Sequence, residues 1–478
     1  MKEQTRQRLI YLISDFVTLN IGMAIFYVVR YYIILSNHAA LPPLREWLLS
    51  ERIVGGQILF PIVILGLFAL SGCYNRSQLF YRSRLDEFIN TLGTSLAGMF
   101  TVFLVVLIND PFDQRTVSYE IMLLLWACLF IPVYIARLFI TSATTRRLRR
   151  SGKGWHTLIV GQAQTALKEA RRLEKMQART GLTIIGLVDP TLKDCPADAK
   201  IDGLPLFGDS MDFAELKQKM NLHAVILTPH PSGLDSTMQL INRLYPLDLP
   251  MLIPPSLHQL ITMRPRTDVV SAEPLIDITN ANVPPRLANI KRLSDVLVSF
   301  FGLVVLSPVL AGIALAVKLD SKGPAIYRQE RIGYHKKPFK ILKFRSMYVG
   351  AEDTGPALST ENDPRITRVG RVLRKYRLDE LLQLWNVLVG EMSLVGPRPE
   401  REYYVRQIIK EVPAYSLVHQ VRPGITSWGM VRYGYASTVP EMIERLRYDL
   451  LYIENVSLGI DLKILYHTVH TVLAGKGK

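Results

Sequence analysis

Cysteine is scarce in this chain: its 478 residues include only three, Cys73, Cys128 and Cys195. The three positions are far apart and have none of the paired spacings that hold a metal ion. They also do not indicate the disulfide framework of a small secreted domain. We interpret them as buried or free thiols in a reducing compartment.

Acidic residues are also few, because 41 Asp and Glu stand against 57 Lys and Arg, for a formal net charge of +16. Such a basic chain suits anionic partners. Hydrophobic residues make up 49% of the chain and are concentrated in its first 145 residues. The predicted anionic partner is therefore membrane lipid or a phosphorylated substrate, and nucleic acid is not expected. The length predicts two or three domains.

A cleavable signal is not indicated at the N-terminus, since the first apolar run is too long and has no small-residue cleavage site. Four apolar runs lie near residues 9–35, 53–72, 88–108 and 119–142, and each is long enough to cross a bilayer as a helix. Basic residues precede the first run, separate the second from the third and follow the fourth. This bias predicts that both ends of a four-helix bundle face the cytoplasm. The alternative is one misplaced span.

Residues 155–275 alternate short apolar strands with helical patterns. The predicted strands are 157–160, 183–188, 224–227 and 251–253, and the predicted helices lie near 164–178, 211–220 and 235–244. This order predicts a parallel, Rossmann-like α/β domain. The first turn has Ala163 where a dinucleotide fingerprint needs its second glycine, although Asp189 stands where a ribose-binding acid would fall. We expect a degenerate nucleotide fold that regulates the protein or forms a homodimer, rather than a live cofactor site.

A fifth apolar run extends from Val296 to Val317, with Ser307 and Pro308 in its middle. Proline removes a backbone hydrogen bond and kinks a helix, and Ser307 is placed to satisfy part of the freed backbone. Basic residues flank the run on both sides, so both flanks are predicted to be cytoplasmic. We therefore predict a bent, re-entrant membrane helix at 292–319. The alternative is an ordinary span that tolerates proline.

Two adjacent carboxylates, Asp379 and Glu380, open an apolar segment that resembles the start of a helix. An ionised aspartate, favoured there by the helix dipole, is a competent nucleophile at phosphorus. The charges that meet at a pyrophosphate need neutralising, which suits a divalent metal, Mg²⁺, bound through oxygen. Arg365, Arg368 and Arg398 are candidates to stabilise further charge. The alternative for an isolated Asp-Glu pair is a helix N-cap.

The stretch after the bent helix is basic and rich in turns, with Arg331, Lys343 and Arg345 in it. Such a stretch at a membrane surface suits phosphates or lipid headgroups. The alternative is a solvated basic face. Further along, residues near 402–410, 439–453 and 459–473 have apolar residues at helical spacing, which predicts helices that lie in the interface plane or pack within the domain.

Several of these motifs, in this order, resemble the catalytic module of the bacterial polyprenyl-phosphate glycosyl-1-phosphate transferases over residues 289–478. The matching pieces are Ser307-Pro308, the motif from Lys343 to Met347, Asp363-Pro364-Arg365, Leu378-Asp379-Glu380, Val395-Gly396-Pro397-Arg398-Pro399 and Pro423-Gly424-Ile425-Thr426. With four spans and an α/β domain ahead of it, the chain resembles the large members of the family. Ser427 to Val431 depart from the family's usual Gly-Leu-Trp-Gln-Val.

The resemblance implies that Asp379 is the nucleophile, that Glu380 has a metal-linked or proton-handling role and that phosphate binds near Arg398. It implies transfer of a sugar 1-phosphate from a UDP-sugar to undecaprenyl phosphate at the cytoplasmic face of the bacterial inner membrane. This reaction would be the first membrane step of exopolysaccharide, capsule or O-antigen synthesis. The expected domains are a transmembrane bundle (1–145), the Rossmann-like domain (146–280) and a mainly helical monotopic catalytic domain (281–478).

One rival function is a membrane-bound, NAD-dependent nucleotide-sugar dehydratase or epimerase, which has a similar N-terminal half. Its chemistry needs an intact glycine fingerprint and a tyrosine followed four residues later by lysine. No tyrosine in the chain has lysine at that position, which argues against the rival. A membrane-anchored scaffold without activity is the third alternative.

Overall fold

The apolar runs of the N-terminal region are helical in a computed structural model of the chain. The structure describes residues 2–37, 42–74, 84–106, 115–151, 155–175, 182–193, 195–196, 198–228, 234–247, 249–254, 275–278, 283–351, 363–434 and 436–473. The helices of this region are α1 (Lys2–Asn37), α2 (Leu44–Leu48), α3 (Glu51–Leu70), α4 (Arg84–Val106) and α5 (Arg115–Ser151). The prediction of four long apolar helices is confirmed, since α1, α3, α4 and α5 are each long and apolar enough to cross a membrane.

The bundle packs α1 against α3 and α5, and α4 against α3 and α5. Leu19, Ile64 and Leu125 are fully buried in its core. Large apolar side chains such as Phe139 and Leu104 are exposed on its outside. Apolar residues on both the inside and the outside of a helix bundle are typical of a membrane domain, because lipid tails cover the outer face.

A buried charge cluster joins the helices of this bundle. Arg137 on α5 donates from Nε and Nη2 to the two carboxylate oxygens of Asp15 on α1, at 3.0 and 2.5 Å. Its third nitrogen donates to Thr91 of α4 at 3.0 Å, and Tyr74 donates to Asp15 at 2.6 Å. Arg137 and Asp15 are both fully buried, so each charge depends on the other for compensation.

The chain divides into two compact units, one containing α1 to α5 and the other containing the sheet and the C-terminal region. The second unit begins with a seven-stranded mixed sheet in the order β3-β4-β2-β1-β5-β6-β7. Its strands are β1 (Trp155–Val160), β2 (Leu182–Val188), β3 (Lys200–Ile201), β4 (Leu204–Phe207), β5 (Ala224–Leu227), β6 (Met251–Ile253) and β7 (Ile276–Asp277). The helices among them are α6 (Ala163–Lys175), α7 (Phe213–Lys219) and α8 (Leu234–Leu244), followed by a 3₁₀ turn, Tyr245–Leu247.

All four predicted strands and three predicted helices of this region are present, within a few residues. The parallel arrangement holds for β1 with β5, β5 with β6 and β2 with β4. The two short edge strands β3 and β7 are antiparallel to their neighbours, which corrects the all-parallel expectation. The hairpin of β3 and β4 was not predicted. Its two-residue turn consists of Asp202 and Gly203, both with positive φ (55° and 83°), and Asp-Gly is a strong sequence signal for such a turn.

The first turn of this sheet domain is filled by its own side chains. A Cβ on Gly161 would overlap the hydroxyl of Thr228, so the glycine serves the close approach of these two strand ends. Asp189 accepts hydrogen bonds from the backbone of Ala163 at 2.7 Å and of Thr191 at 2.9 Å, and from the Thr191 hydroxyl at 2.6 Å. Both carboxylate oxygens of Asp189 thus accept hydrogen bonds from neighbouring residues, whereas a ribose-binding aspartate would use them for the ribose hydroxyls.

The C-terminal region begins with α9 (Pro285–Asp320), an apolar helix of 36 residues with Pro308 inside it. It is also long and apolar enough to cross a membrane. Proline 308 deprives the carbonyl of Val304 of its helical partner, and the Ser307 hydroxyl donates to that carbonyl at 2.8 Å. The predicted role of Ser307 in satisfying the freed backbone is therefore confirmed.

The remainder of the C-terminal region packs short strands among helices. A hairpin pairs β8 (Ile326–Ile332) with β9 (Pro338–Phe344), and a parallel pair joins β10 (Ser393–Val395) to β11 (Gly424–Thr426). The helices are α10 (Arg368–Lys375), α11 (Gln383–Val389), α12 (Glu402–Glu411), α13 (Trp428–Arg432), α14 (Val439–Glu454) and α15 (Leu458–Leu473). The predicted helices at 402–410, 439–453 and 459–473 are confirmed by α12, α14 and α15. The predicted domain boundary at 280 lies outside the described residues.

Candidate active site

Asp379 and Glu380 lie in a single 3₁₀ turn, Leu378–Glu380, just before α11. Arg377 precedes the turn with a left-handed backbone (φ 53°), which turns the chain sharply between α10 and the two acids. Asp379 and Glu380 are only 7% and 6% exposed. The sequence predicted the first turn of a longer helix, whereas α11 itself begins at Gln383.

Two cations converge on Glu380 from distant parts of the sequence. Lys343 on β9 places its Nζ 2.7 Å from Oε1 of Glu380. Arg398 places Nη2 3.8 Å from the same oxygen, and its Nη1 also contacts Met430 Sδ at 3.6 Å. Thus the predicted site residues Asp379, Glu380, Lys343 and Arg398 lie together.

The loop that carries Arg398 is fixed against β11. The amide of Gly396 donates to Thr426 at 3.0 Å, and the amide of Gly424 donates to Pro397 at 2.9 Å. A Cβ on Gly396 would overlap the carbonyl of Arg422, so only glycine permits this approach. The motif Val395 to Pro399 is therefore a rigid support for one phosphate-binding candidate.

Arg331 on β8 lies beside the same loop. Its guanidinium donates to the carbonyl of Pro399 at 3.1 Å and lies 3.3 Å from Glu400. The other oxygen of Glu400 accepts from Arg445 of α14 at 2.7 Å. Arg331 thus lies at the edge of the site, and its partners are Gln329, Pro399 and Glu400.

The remaining predicted phosphate ligands have other partners. Arg345 donates to the carbonyls of Ser321 and Lys322, at 2.7 and 3.1 Å, just beyond the C-terminus of α9. Arg365 forms a two-pronged pair with Asp363, with Nε 2.8 Å from Oδ1 and Nη2 2.5 Å from Oδ2. Arg368 is exposed in the first turn of α10. The structure does not bring these three onto Glu380, and their phosphate-binding role stays a prediction.

Glu400 and Arg445 are the residues of this charge network that sequence reasoning missed. Both are about 4% exposed. Glu400 follows directly on the Val395–Pro399 motif, and this position could have indicated that its carboxylate belongs to the site. Arg445 lies 45 positions further along the chain, in a charged segment that looked solvent-exposed, and only the fold brings it to Glu400.

The two acids have opposite pKa shifts. Burial and the neighbouring Glu380 raise the pKa of Asp379, and Lys343 partly opposes this. Burial also acts to raise the pKa of Glu380, but Lys343 and Arg398 outweigh it and hold that pKa below the usual range. The helix start was expected to favour ionised Asp379, but burial and Glu380 outweigh the contributions that lower its pKa, so the net shift is upward.

A divalent metal fits this donor set only together with a substrate. Among the residues that the structure describes, no group of three or more His, Cys, Asp or Glu side chains is arranged to hold a metal. Magnesium, however, commonly takes one or two carboxylates and fills its shell with substrate phosphates and water. The Asp379-Glu380 pair satisfies that requirement.

The comparisons with known proteins identify the class. Residues 286–475 match the family model for bacterial sugar transferase. A UDP-N-acetylgalactosamine-undecaprenyl-phosphate N-acetylgalactosaminephosphotransferase of Aeromonas hydrophila is 42% identical over 193 residues, 40% of this chain and 46% of the relative. The exopolysaccharide production protein PSS of Rhizobium leguminosarum bv. phaseoli is 41% identical over 195 residues, 39% of this chain and 98% of the relative.

A third relative aligns along most of the chain. The UDP-glucose:undecaprenyl-phosphate glucose-1-phosphate transferase of Xanthomonas campestris pv. campestris is 29% identical over 437 residues, 88% of this chain and 87% of the relative. The chain spans about half the length of the Aeromonas relative. On these matches, the chain belongs to the bacterial sugar transferase family, as its motifs suggested.

The raised pKa of Asp379 predicts an unusual acid limb in the pH dependence of this protein's reaction. If the ionised carboxylate of Asp379 is the nucleophile, the rate should fall as pH drops through that raised pKa, above the value of about 3.9 for an ordinary aspartate. Replacing Lys343 by Met removes a charge that lowers this pKa, so the limb should move to still higher pH. Rate profiles of both proteins between pH 4 and 8 test this. An acid limb at or below pH 4 in the wild type would contradict the assignment.

Proposed function

We propose that the protein transfers a sugar 1-phosphate from a UDP-sugar to undecaprenyl phosphate, giving undecaprenyl-diphosphate-sugar and UMP. The observation that carries this is the buried Asp379-Glu380 pair with Lys343 and Arg398 on Glu380, in a chain of the sugar transferase family. The Aeromonas and Xanthomonas relatives are named for transfer from UDP-linked sugars to undecaprenyl phosphate, which supports the same substrates here.

The proposed reaction has two displacement steps at one phosphorus. A carboxylate oxygen of Asp379 attacks the phosphorus that bears the sugar, the bond to the bridging oxygen of UDP breaks, and UMP leaves. The sugar phosphate is then an acyl phosphate on Asp379. A phosphate oxygen of the lipid attacks the same phosphorus, the bond to Asp379 breaks, and the carboxylate is regenerated.

We assign the cations around Asp379 and Glu380 to binding the negatively charged phosphates, directly or by holding other site residues in position. Arg398 would contact the phosphate that Asp379 attacks, which its approach to Glu380 supports, and Lys343 would hold Glu380 in position through Oε1. Glu380 would hold Mg²⁺ together with the substrate phosphates, and the bound metal would neutralise charge on the pyrophosphate. Arg331 and Glu400 hold the loop of Arg398 in place.

We further infer that the reaction takes place at the cytoplasmic face of the bacterial inner membrane. The four N-terminal helices would cross the bilayer, and α9 would enter and leave one leaflet as a bent, re-entrant helix at 292–319. The basic flanks of α9 and the position of Pro308 support this arrangement. A C-terminal epitope tag should then become accessible only after spheroplasts are permeabilised, and labelling of intact spheroplasts would contradict it.

We assign the sheet domain to a degenerate Rossmann-like fold without a cofactor role. The internal hydrogen bonds of Asp189 and the packing of Gly161 against Thr228 support this. The NAD-dependent dehydratase is accordingly not favoured. We propose that the protein catalyses the first membrane step in the synthesis of a surface polysaccharide. The name of the Rhizobium relative, an exopolysaccharide production protein, supports this.

The test is UMP release by membranes that contain the full chain. Undecaprenyl phosphate and Mg²⁺ are supplied with UDP-glucose, UDP-galactose or UDP-N-acetylgalactosamine in turn. We expect UMP and a lipid-linked sugar from at least one of them, and none from membranes without the chain. A scaffold without activity predicts no UMP from any donor, and that result would overturn the proposed function.

A further inference from the structure

The hairpin β8–β9 carries two of the cations at the site, and its turn is strained. Arg331 lies on β8 next to the turn, opposite Phe339, and Lys343 lies on β9 at the far end of the hairpin, opposite Tyr327. The turn between the strands contains two successive residues with left-handed backbones, His335 (φ 53°) and Lys336 (φ 57°). Residues other than glycine rarely adopt this conformation, so contacts outside the hairpin must stabilise it.

Those contacts come from the sheet domain. The Nζ of Lys336 donates to Oδ1 of Asn242, on α8, at 2.8 Å. The ring of Tyr245, just after α8, lies 5.5 Å from Lys336 Nζ and 6.1 Å from the ring of His335. The strained turn is therefore seated on the C-terminal end of α8.

Asn242 also holds a second segment next to the site. Its Nδ2 donates to the carbonyl of Pro413 at 3.1 Å, in the 3₁₀ segment Pro413–Gln420. At the other end of that segment, His419 Nδ1 lies 3.1 Å from the carbonyl of Gly333, at the base of the hairpin turn. Gln420 donates to the carbonyl of Ile278 of the sheet domain at 2.7 Å. One amide side chain thus joins the hairpin turn to the segment that braces it.

We propose that the sheet domain, through Asn242, positions Arg331 and with it the loop that carries Arg398, the residue assigned to the phosphate. The kinetic test of this role rests on the proposed function, whereas the structural test by hydrogen exchange does not. Asn242 is a positioning residue that acts through Lys336 and the hairpin turn, since Arg331 lies on β8 next to that turn, opposite Phe339. Loss of the Asn242 contacts should weaken binding of the UDP-sugar and leave Asp379 in place.

The test compares Asn242→Ala with Gln239→Ala, an exposed residue on the same helix. Asn242→Ala should raise the KM for the UDP-sugar about three- to tenfold, the range covered by one net hydrogen bond, with kcat within about twofold. Lys336→Met should have the same effect, and the double variant should add little to either single change. Gln239→Ala should match the wild type. A KM for Asn242→Ala equal to that of the control, or a loss of kcat alone, would overturn the proposal.

Hydrogen exchange gives a readout that needs no substrate. Backbone amides of residues 333–344 in the full chain should exchange faster in Asn242→Ala and in Lys336→Met than in Gln239→Ala. Unchanged exchange in both would overturn the positioning role. If the wild type released no UMP from any UDP-sugar, the proposed function would fail, and the exchange experiment would still decide whether the sheet domain holds the hairpin.

Discussion

Replacing Asp379 by Asn should abolish sugar-phosphate transfer while the protein still inserts into membranes and folds. Asparagine has the same shape as aspartate but cannot form an acyl phosphate, so the rate should fall by at least about 10³-fold, as it does when a nucleophile is removed. The contact of Lys343 with Glu380, at 2.7 Å, does not involve Asp379. The site should therefore keep its arrangement.

The matched control for this variant is Asp202→Asn. Asp202 is exposed and pairs with Arg171 at the surface, and asparagine tolerates its left-handed backbone as well as aspartate does. UMP release and the amount of sugar bound covalently to the protein are measured for both variants. Loss of activity in both, or near wild-type turnover in Asp379→Asn, would refute the nucleophilic role.

A second large effect is expected in the helix bundle, where Asp15→Leu should strongly destabilise the protein. The substitution leaves Arg137 fully buried with no compensating carboxylate. Breaking a buried pair from one side costs about 3–5 kcal/mol. The midpoint of thermal unfolding in detergent should fall accordingly, together with the yield of folded protein.

The double variant Asp15→Leu/Arg137→Met separates the buried charge from lost packing. It removes both charges, and apolar replacement of a whole buried pair is often neutral. We expect it to recover most of the stability lost in the single variant, although it also loses the contact of Arg137 with the Phe68 ring at 4.3 Å. A single variant that melts like the wild type, or a double variant as unstable as the single, would contradict the claim that an unpaired buried Arg137 destabilises the protein.

Local patterns in the sequence predicted the elements of the fold because their causes are local. Apolar runs gave the long helices, and short apolar strands between helical stretches gave the positions of β1, β2, β5 and β6. The antiparallel edge strand β3 was missed, although its Asp202-Gly203 turn was visible in the sequence. Here a strand of two residues is too short for any periodicity to show.

The site was predicted only in part because its contacts are between residues far apart in the chain. The motifs marked Asp379, Glu380, Lys343 and Arg398, which do lie together. They could not show that Arg345 and Arg365 bond to a helix end and to Asp363 instead. The pKa of Asp379 depends on burial, which a sequence pattern does not give. Arg445 reaches Glu400 across 45 positions of the chain.

The most direct measurement of the central claim is a single turnover without the lipid. Purified protein is mixed with its UDP-sugar and Mg²⁺ in the absence of undecaprenyl phosphate, and UMP and the mass of the protein are followed together. Attack by Asp379 predicts about one UMP per active site and a matching sugar phosphate on the peptide that contains Asp379, removed when the lipid is added. No UMP before the lipid arrives, with full transfer afterwards, would mean that the lipid attacks the UDP-sugar directly.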